Sequence, residues 1–139
     1  MSTRTTISRR FHFSASHRYW VEAWSAEHNL AEFGKTTSPH GHGHNYVLEV
    51  HITGEVDPVS GMIVNLTEVK QWVNGVLKLY DHKYLNLDHP AYARIVPTTE
   101  NIARTLWSEI AAILPASVRL RKLRLWEDED LFAEVEHRE

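Results

Sequence analysis

Residues 39–53 read Pro-His-Gly-His-Gly-His-Asn-Tyr-Val-Leu-Glu-Val-His-Ile-Thr, and this stretch decides the fold. From Tyr46 to Ile52, large apolar residues occupy every second position, which predicts a strand with one buried face. His42 and His44 stand at the start of that strand, and side chains two residues apart in a strand point the same way. The stretch therefore predicts a half-buried strand that begins with two histidines able to bind one ion.

A third histidine, His17, lies some 25 residues before this pair. Three neutral imidazoles suit Zn²⁺, and three protein ligands leave a coordination position for water or substrate, as in catalytic zinc sites. Taken alone, the two paired histidines fit a metal site and a surface tract that binds metal adventitiously equally well. In the second case the glycines would only mark a turn. The strand that follows them favours a built metal site, and hence a metalloenzyme.

The composition is that of an ordinary globular protein. With 139 residues the chain is long enough for one core, so we expect a single domain over residues 1–139. No apolar run approaches the ~18 residues of a membrane span, so we expect no membrane partner. A net charge of −3 argues against a general nucleic-acid binder. No apolar segment of a secretory signal follows the first ten residues, so we expect a cytoplasmic location.

Cysteine is absent from the sequence. Its absence excludes disulfides and thiolate metal ligands, and it excludes every reaction that needs a thiol as nucleophile or base. Any bound metal must therefore be held without thiolate ligands.

The alternating pattern predicts four strands. Phe11 and Phe13 alternate with polar residues, which predicts an opening strand that ends near His17. The strand over 46–53 is the second, and residues 118–126 and 131–135 form a final hairpin around an acidic connection. Residues 54–61 supply turn residues and 62–64 resume an apolar run, which predicts a hairpin there. Residues 18–39 show no regular spacing of apolar residues, and we expect a partly helical loop there, beside the histidine site.

Two stretches have the 3.6-residue period of amphipathic helices. Asn65 can cap the first, and Pro97-Thr98-Thr99 precedes the second, which Pro115 ends. The apolar positions are Leu66, Val69, Trp72, Val73, Val76, Leu77 and Tyr80 in the first and Ile102, Ala103, Leu106, Ile110 and Leu114 in the second. We therefore predict an α+β fold in which an antiparallel four-stranded sheet carries two helices on one face. The open edges of such a sheet invite pairing with other subunits, so we expect an oligomer.

Several short segments of the chain occur in one order. They are FSASH at 13–17, FGK at 33–35, PHGHGHNY at 39–46, GMIVNLT at 61–67, DHK at 81–83, PTTEN at 97–101 and WE at 126–127. In this order the chain resembles the 6-pyruvoyltetrahydropterin synthase family, whose relatives include bacterial 6-carboxytetrahydropterin synthase of the queuosine pathway. The resemblance implies a T-fold, in which subunits join their sheets into a barrel as a homo-oligomer, a trimer or a dimer of trimers, with active sites at the subunit interfaces.

The resemblance also implies an activity. The family's synthase is a zinc-dependent carbon–oxygen lyase of tetrahydrobiopterin biosynthesis, and its small-molecule substrate is 7,8-dihydroneopterin triphosphate. It eliminates triphosphate and rearranges the side chain to a 6-pyruvoyl group. Zn²⁺ acts there as a Lewis acid that stabilises enolate-like charge when a carbon-bound proton leaves.

The resemblance assigns roles to five residues around the metal and the proton-transfer step. His17, His42 and His44 match the family's zinc ligands. Asp81 and His82 match its Asp-His proton-transfer pair, in which a carboxylate can fix the tautomer of an imidazole. Without the resemblance, a turn-capping Asp81 and an exposed loop His82 would be the better interpretation.

The resemblance also assigns the pterin contacts. Glu127 matches the glutamate of the active site that anchors the pterin ring, since a carboxylate can accept two parallel hydrogen bonds from an amino and ring N–H edge. Asp128 stands where the family usually has threonine. Thr98, Thr99 and Glu100 match a further pterin-contacting segment, and either threonine could serve as a helix cap instead or as well.

The chain departs from the family at its catalytic cysteine, a position that Thr36 occupies. A threonine hydroxyl has no accessible anion near neutral pH, and losing a positioned base costs on the order of 10²–10⁴ in rate. Some family members have a glutamate near this point instead of the cysteine, and they favour side-chain cleavage. This chain has neither the cysteine nor that glutamate. Glu27, His28, Glu32 and His40 are alternative bases, although a plain loop role fits His40 better.

Three hypotheses about function remain open. The chain is a zinc lyase for dihydroneopterin triphosphate with a rebuilt base, a zinc enzyme for a different pterin-like substrate, or a pterin-binding homologue without synthase activity. Retention of the three histidines, the Asp-His pair and Glu127 favours the two enzymes.

Overall fold

The computed structural model describes residues 3–138, and a five-stranded sheet forms its centre in the strand order β3-β1-β2-β4-β5. The strands are β1 Thr5–His17, β2 His42–Gly54, β3 Lys83–Tyr84, β4 Val118–Asp128 and β5 Leu131–Glu136. The α+β class and four antiparallel strands are confirmed. The sheet differs from the prediction in one detail, because the two-residue β3 pairs in parallel with β1. Two residues are too few to show an alternating pattern in the sequence.

The helices lie at α1 Ala26–Phe33, α2 Leu66–Leu77, α3 Leu85–Asp88 and α4 Thr99–Ala111, with 3₁₀ turns at Gly34–Thr37 and Pro90–Ala93. The two long helices, α2 and α4, are those predicted from the 3.6-residue period. Asn65 caps α2 by accepting from the Thr67 amide at 2.9 Å, as the sequence predicted. The helix α1 and the first 3₁₀ turn fall in the loop that was predicted to be partly helical.

The hairpin predicted over residues 54–64 is wrong. The chain makes only a local turn there, in which the Asp57 amide donates to the Met62 carbonyl at 3.0 Å. Both edges of β2 are already paired, one with β1 and the other with β4, so no edge is left for a returning strand. Ile63 and Val64 pack against the core instead.

The core lies between one face of the sheet and the helices α2 and α4. Alternate residues of β1 from Phe11 onward face it, and so do alternate residues of β2 from Tyr46 onward. The same alternation places His17, at the end of β1, on this face, together with His42 and His44 at the start of β2. The three histidines therefore share one end of the core.

Both outer edges of the sheet are largely unpaired within residues 3–138. β3 covers β1 only at Ala15 and Ser16, and β5 is bonded along one side only, to β4. Joining of these edges between subunits stays a prediction. No helix among the described residues has the length and apolar character needed to cross a bilayer.

Candidate metal centre

The pairing of β1 with β2 brings the three predicted ligands together. His17 lies opposite His42, and Ala15 lies opposite His44, so the rings converge on one face of the two strands. One ring nitrogen from each histidine lies within 4.8 Å of the others, and the Nε2 atoms of His17 and His42 are 3.1 Å apart. A spacing this short brings all three nitrogens within reach of a single ion.

Gly41 is what permits this approach of the two strands. Its φ of +72° is a left-handed conformation that glycine adopts without strain, and a Cβ there would lie 2.8 Å from the His17 carbonyl oxygen. The sequence showed this glycine only as part of a histidine-glycine repeat. Its structural role is the close contact with the backbone of a predicted ligand.

The protein environment keeps His17 and His42 in the neutral form that metals bind. Burial, reinforced by the neighbouring His42 and His44, lowers the pKa of His17 from 6.5 to about 3. Burial and then His44 also lower the pKa of His42. The Tyr46 hydroxyl lies 3.2 Å from His17 Nδ1, and a hydrogen bond there leaves Nε2 facing the other two rings. A partner on the far nitrogen is the usual way in which proteins orient a metal-binding imidazole.

Two buried atoms at this site lack a hydrogen-bond partner, His44 Nε2 and Glu127 Oε1. Unpaired buried polar atoms are uncommon, because each costs about 1–3 kcal/mol. A cation ligated by the three histidines would bind the lone pair of His44 Nε2 and offset the nearby carboxylate charge. The residues present therefore fit a divalent metal with nitrogen ligands.

Glu127 lies directly beside the histidines. Its Oε1 is 3.5 Å from His44 Nε2 and 3.9 Å from His17 Nε2. An irregularity in the pairing of β4 with β5 leaves Glu127 without a cross-strand partner, between Trp126 and Asp128, which do have partners. Bulges of this kind often direct a side chain toward a functional site.

Tyr19 belongs to this cluster, and the sequence reasoning missed it. Burial, and then the Glu127 carboxylate, raise the pKa of Tyr19, so its hydroxyl stays protonated and can donate to Glu127. The same hydroxyl also interacts with the side chain of Thr99. The available signal was its spacing, since Tyr19 stands two residues after His17.

The segment 98–100 starts helix α4 next to this cluster. Thr98 caps the helix by accepting from the Asn101 amide at 3.1 Å. Thr99 is buried and reaches Tyr19, while Glu100 is exposed. The structure thus assigns the cap to Thr98, and the pterin contacts of this segment stay predictions.

The structure places Asp81 and His82 at the edge of β1, outside the histidine cluster. Asp81 Oδ1 accepts from the Ser14 amide at 2.9 Å, and the His82 amide donates to the Ser14 carbonyl at 2.6 Å. Both side chains are exposed, with 3.7 Å between His82 Nε2 and Asp81 Oδ2. His82 and His44 line one open cleft of ≈ 560 Å³. The pair therefore faces solvent, and His82 shares a cleft with His44.

Thr36 is not available as a base. Its hydroxyl donates to the Phe33 carbonyl at 2.7 Å, within the 3₁₀ turn. The four alternative bases named from the sequence, Glu27, His28, Glu32 and His40, are exposed. None of them belongs to the potential metal-binding cluster found among residues 3–138.

Comparison with known proteins agrees with this architecture. A family model described as 6-pyruvoyl tetrahydropterin synthase matches residues 6–138. The 6-pyruvoyl tetrahydrobiopterin synthase of Homo sapiens is 42% identical over 125 residues, which cover 89% of this chain and 86% of the relative. The dihydroneopterin monophosphate aldolase of Pyrococcus furiosus is 33% identical over 135 residues, with 96% and 98% covered.

A solved structure extends the agreement to the fold. The 6-pyruvoyl tetrahydropterin synthase of Caenorhabditis elegans superposes with a TM-score of 0.91 at 33% identity, covering 98% of this chain and 97% of that chain. The predicted T-fold is thereby confirmed. The matched family model, the sequence relatives and this superposition together show that the chain belongs to the 6-pyruvoyl tetrahydropterin synthase family.

Proposed function

We propose that this chain is a zinc-dependent pterin lyase that acts on 7,8-dihydroneopterin triphosphate. One observation carries the proposal, namely that ring nitrogens of three histidines lie within 4.8 Å of one another beside a carboxylate that has a buried, unpaired oxygen. The relatives named as synthases and as an aldolase of dihydroneopterin monophosphate support a pterin substrate.

His17, His42 and His44 would hold the metal. When bound, Zn²⁺ supplies Lewis acidity that stabilises negative charge developing on substrate oxygens. The nearby Tyr46 hydroxyl orients the His17 ring. Burial keeps the His17 imidazole neutral, so the site needs no proton loss from this ligand before it binds a metal near neutral pH.

Glu127 would bind the pterin ring through its amino and N–H edge. A carboxylate offers two acceptors side by side, and hydrogen bonds to a charged group contribute about 1.5–3 kcal/mol. The protonated Tyr19 hydroxyl also donates to this carboxylate. Glu127 would thus hold the ring while the substrate side chain reaches the histidines.

Asp81 and His82 would transfer the proton. Asp81 is fixed by the Ser14 amide, and its Oδ2 lies 3.7 Å from His82 Nε2, so a small side-chain rotation would let it bond the ring and select one tautomer. Because both side chains are exposed at an open sheet edge, they are accessible to a substrate bound by a neighbouring copy of the chain. We therefore propose a homo-oligomer, a trimer or a dimer of trimers, with sites between subunits.

A second candidate reaction is cleavage of the pterin side chain. It is favoured by the hydrogen-bonded Thr36 at the position of the family's thiol and by the aldolase from Pyrococcus furiosus among the relatives. Without a thiol base, pyruvoyl formation should be slower by on the order of 10²–10⁴. A reaction that uses only the Asp81–His82 pair would avoid this loss.

The decisive experiment is to incubate the zinc-loaded protein with 7,8-dihydroneopterin triphosphate and to identify every pterin by chromatography with mass detection. A 6-pyruvoyl, 6-carboxy or cleaved product that a chelator abolishes would establish the lyase and its reaction. An unchanged substrate would contradict the proposal and leave a different pterin-like substrate or a binding role.

Three variants, one of them a control, sharpen this experiment. Glu127→Gln should raise KM for the pterin by about 10–100-fold. It replaces one of the two carboxylate oxygens proposed to accept hydrogen bonds from the pterin, and it removes their charge. Glu55→Gln, at an exposed position just after β2, is the matched control and should leave KM unchanged. Thr36→Cys should increase pyruvoyl formation if the substrate binds as it does in the synthases, and no gain would count against that pose.

A further inference from the structure

A single side chain bonds both backbone groups of Arg18, the residue immediately after His17. The strand β1 ends at His17, so the amide and carbonyl of Arg18 lie beyond its pairing with β2. Asn86 bonds both groups. Its Oδ1 accepts from the Arg18 amide at 2.8 Å, and its Nδ2 donates to the Arg18 carbonyl at 2.8 Å. The Asn86 amide thus bonds Arg18 in the way that the backbone of a neighbouring strand would.

Asn86 itself has a rigid support. It lies in the one-turn helix α3, directly after Leu85, which is fully buried. The turn is closed by Asp88, whose carboxylate accepts from the Tyr84 amide at 2.8 Å. Tyr84 also pairs with Ser16 through β3. Asn86 therefore meets Arg18 from an element that is already attached to β1.

The other side of Arg18 is attached to the loop that leads to the second ligand. Arg18 Nε donates to the Thr37 carbonyl at 2.8 Å, and the Tyr19 amide donates to the Thr36 carbonyl at 2.8 Å. This loop continues through Gly41 into His42. The backbone after His17 is consequently fixed between α3 and the segment that carries the other two histidines.

We propose that Asn86 is a positioning residue for the metal centre, because it fixes the backbone that aims His17 at His42 and His44. The inference rests on the proposed function in one respect, that these three histidines bind zinc. Ligands must be held within about 0.5 Å of productive geometry, and residues that orient metal ligands typically change metal affinity by about 10–100-fold. Asparagine suits this position because it presents one acceptor and one donor side by side.

The test compares zinc affinity among variants by competition with a chromophoric chelator. Asn86→Ala, which loses both bonds, should raise the zinc Kd by about 10-fold or more. Asn86→Asp keeps the acceptor for the Arg18 amide but turns a second oxygen toward the Arg18 carbonyl, so it should also weaken binding. It carries the test if Asn86→Ala does not fold. In Asn86→Ala, which removes the acceptor of the Arg18 amide, hydrogen exchange at that amide should become faster in the metal-free protein.

Asn65→Ala is the matched control. It removes an asparagine whose side chain bonds the backbone at the start of α2, and Asn65 is not among the groups that form the histidine cluster. Its zinc Kd should equal that of the unaltered chain. Equal Kd values for the Asn86 variants and the unaltered chain would overturn the inference, and so would an equal weakening in Asn65→Ala.

Zinc binding by the unaltered chain and the role of Asn86 are tested separately. If the unaltered chain does not bind zinc, both the proposed metal centre and this inference are overturned. If it binds zinc and the Asn86 variants bind it equally well, only the inference is overturned. Faster Arg18 exchange together with unchanged zinc affinity would also overturn it, since the backbone would then be held without effect on the ligands.

Discussion

Replacing Tyr80 by phenylalanine should destabilise the protein by about 2–3 kcal/mol, because its hydroxyl is the centre of a buried polar network. Tyr80 is fully buried, and its hydroxyl bonds both the Tyr92 hydroxyl, at 2.9 Å, and the Glu109 carboxylate. The second oxygen of Glu109 lies 3.2 Å from His89 Nε2. The Ala91 amide donates to His89 Nδ1, so Nε2 carries the hydrogen and donates to Glu109.

The magnitude follows from what the substitution removes. The ring of Tyr80 keeps its packing, including an edge contact with Phe13 at 5.6 Å. Glu109 loses one of two neutral donors, and a hydrogen bond to a charged group contributes about 1.5–3 kcal/mol. Tyr92 loses a partner but keeps its contact with Thr105. For 139 residues, an unfolding entropy of about 0.3 kcal/mol/K converts the total to a fall in Tm of about 7–10 °C.

The assay is thermal and urea unfolding of both proteins at one fixed concentration, since assembly would make Tm concentration-dependent. The urea m-value should not change, because the surface exposed on unfolding is the same. Tyr84→Phe is the matched control, since Tyr84 is only half-buried and should cost less than about 0.5 kcal/mol. A loss below about 0.5 kcal/mol for Tyr80→Phe would refute the reasoning that the network is buried and fully bonded.

Three further predictions follow from single positions. Gly75→Ala should stabilise α2 by about 0.5–1 kcal/mol in urea unfolding, since a Cβ there meets open space, and any loss would contradict this. Gly41→Ala should weaken zinc binding in chelator competition, because its Cβ would lie 2.8 Å from the His17 carbonyl and 2.9 Å from the Tyr84 ring; unchanged affinity would disprove the need for glycine. Burial raises the pKa of Tyr92 to about 12, so the stability that its neutral form contributes is complete below pH ~10 and is lost as the pH rises through about 12. Burial likewise raises the pKa of Tyr19, Tyr46 and Tyr80, so phenolate absorbance should show these four tyrosines ionising only above the usual pH of about 10, and ionisation at that pH would contradict the prediction.

The regular elements were predictable because their signals are local. A period of two residues identified the long strands, and a period of 3.6 residues identified α2 and α4. The Asn65 cap and the paired His42 and His44 were also visible, since each pattern spans only a few residues. The order of short motifs along the chain identified the family and, through it, the T-fold.

The failures share a physical cause. The hairpin at 54–64 was wrong because nothing in those residues shows that both edges of β2 are already occupied. The two-residue β3 and the one-turn α3 are too short for a periodic pattern. Thr36 was correctly doubted as a base, but only the structure shows its hydroxyl bonded to the Phe33 carbonyl.

The sequence by itself determined the long strands and helices, the family, and the residue types that can bind a metal. Only the tertiary structure decided which of them meet. Tyr19 reaches Glu127 across more than 100 residues of chain, and Asn86 bonds Arg18 across 68. Periodicity reports which way a side chain faces within its own element. Contacts between distant segments depend instead on strand order, register and loop closure, which are settled only when the whole core packs.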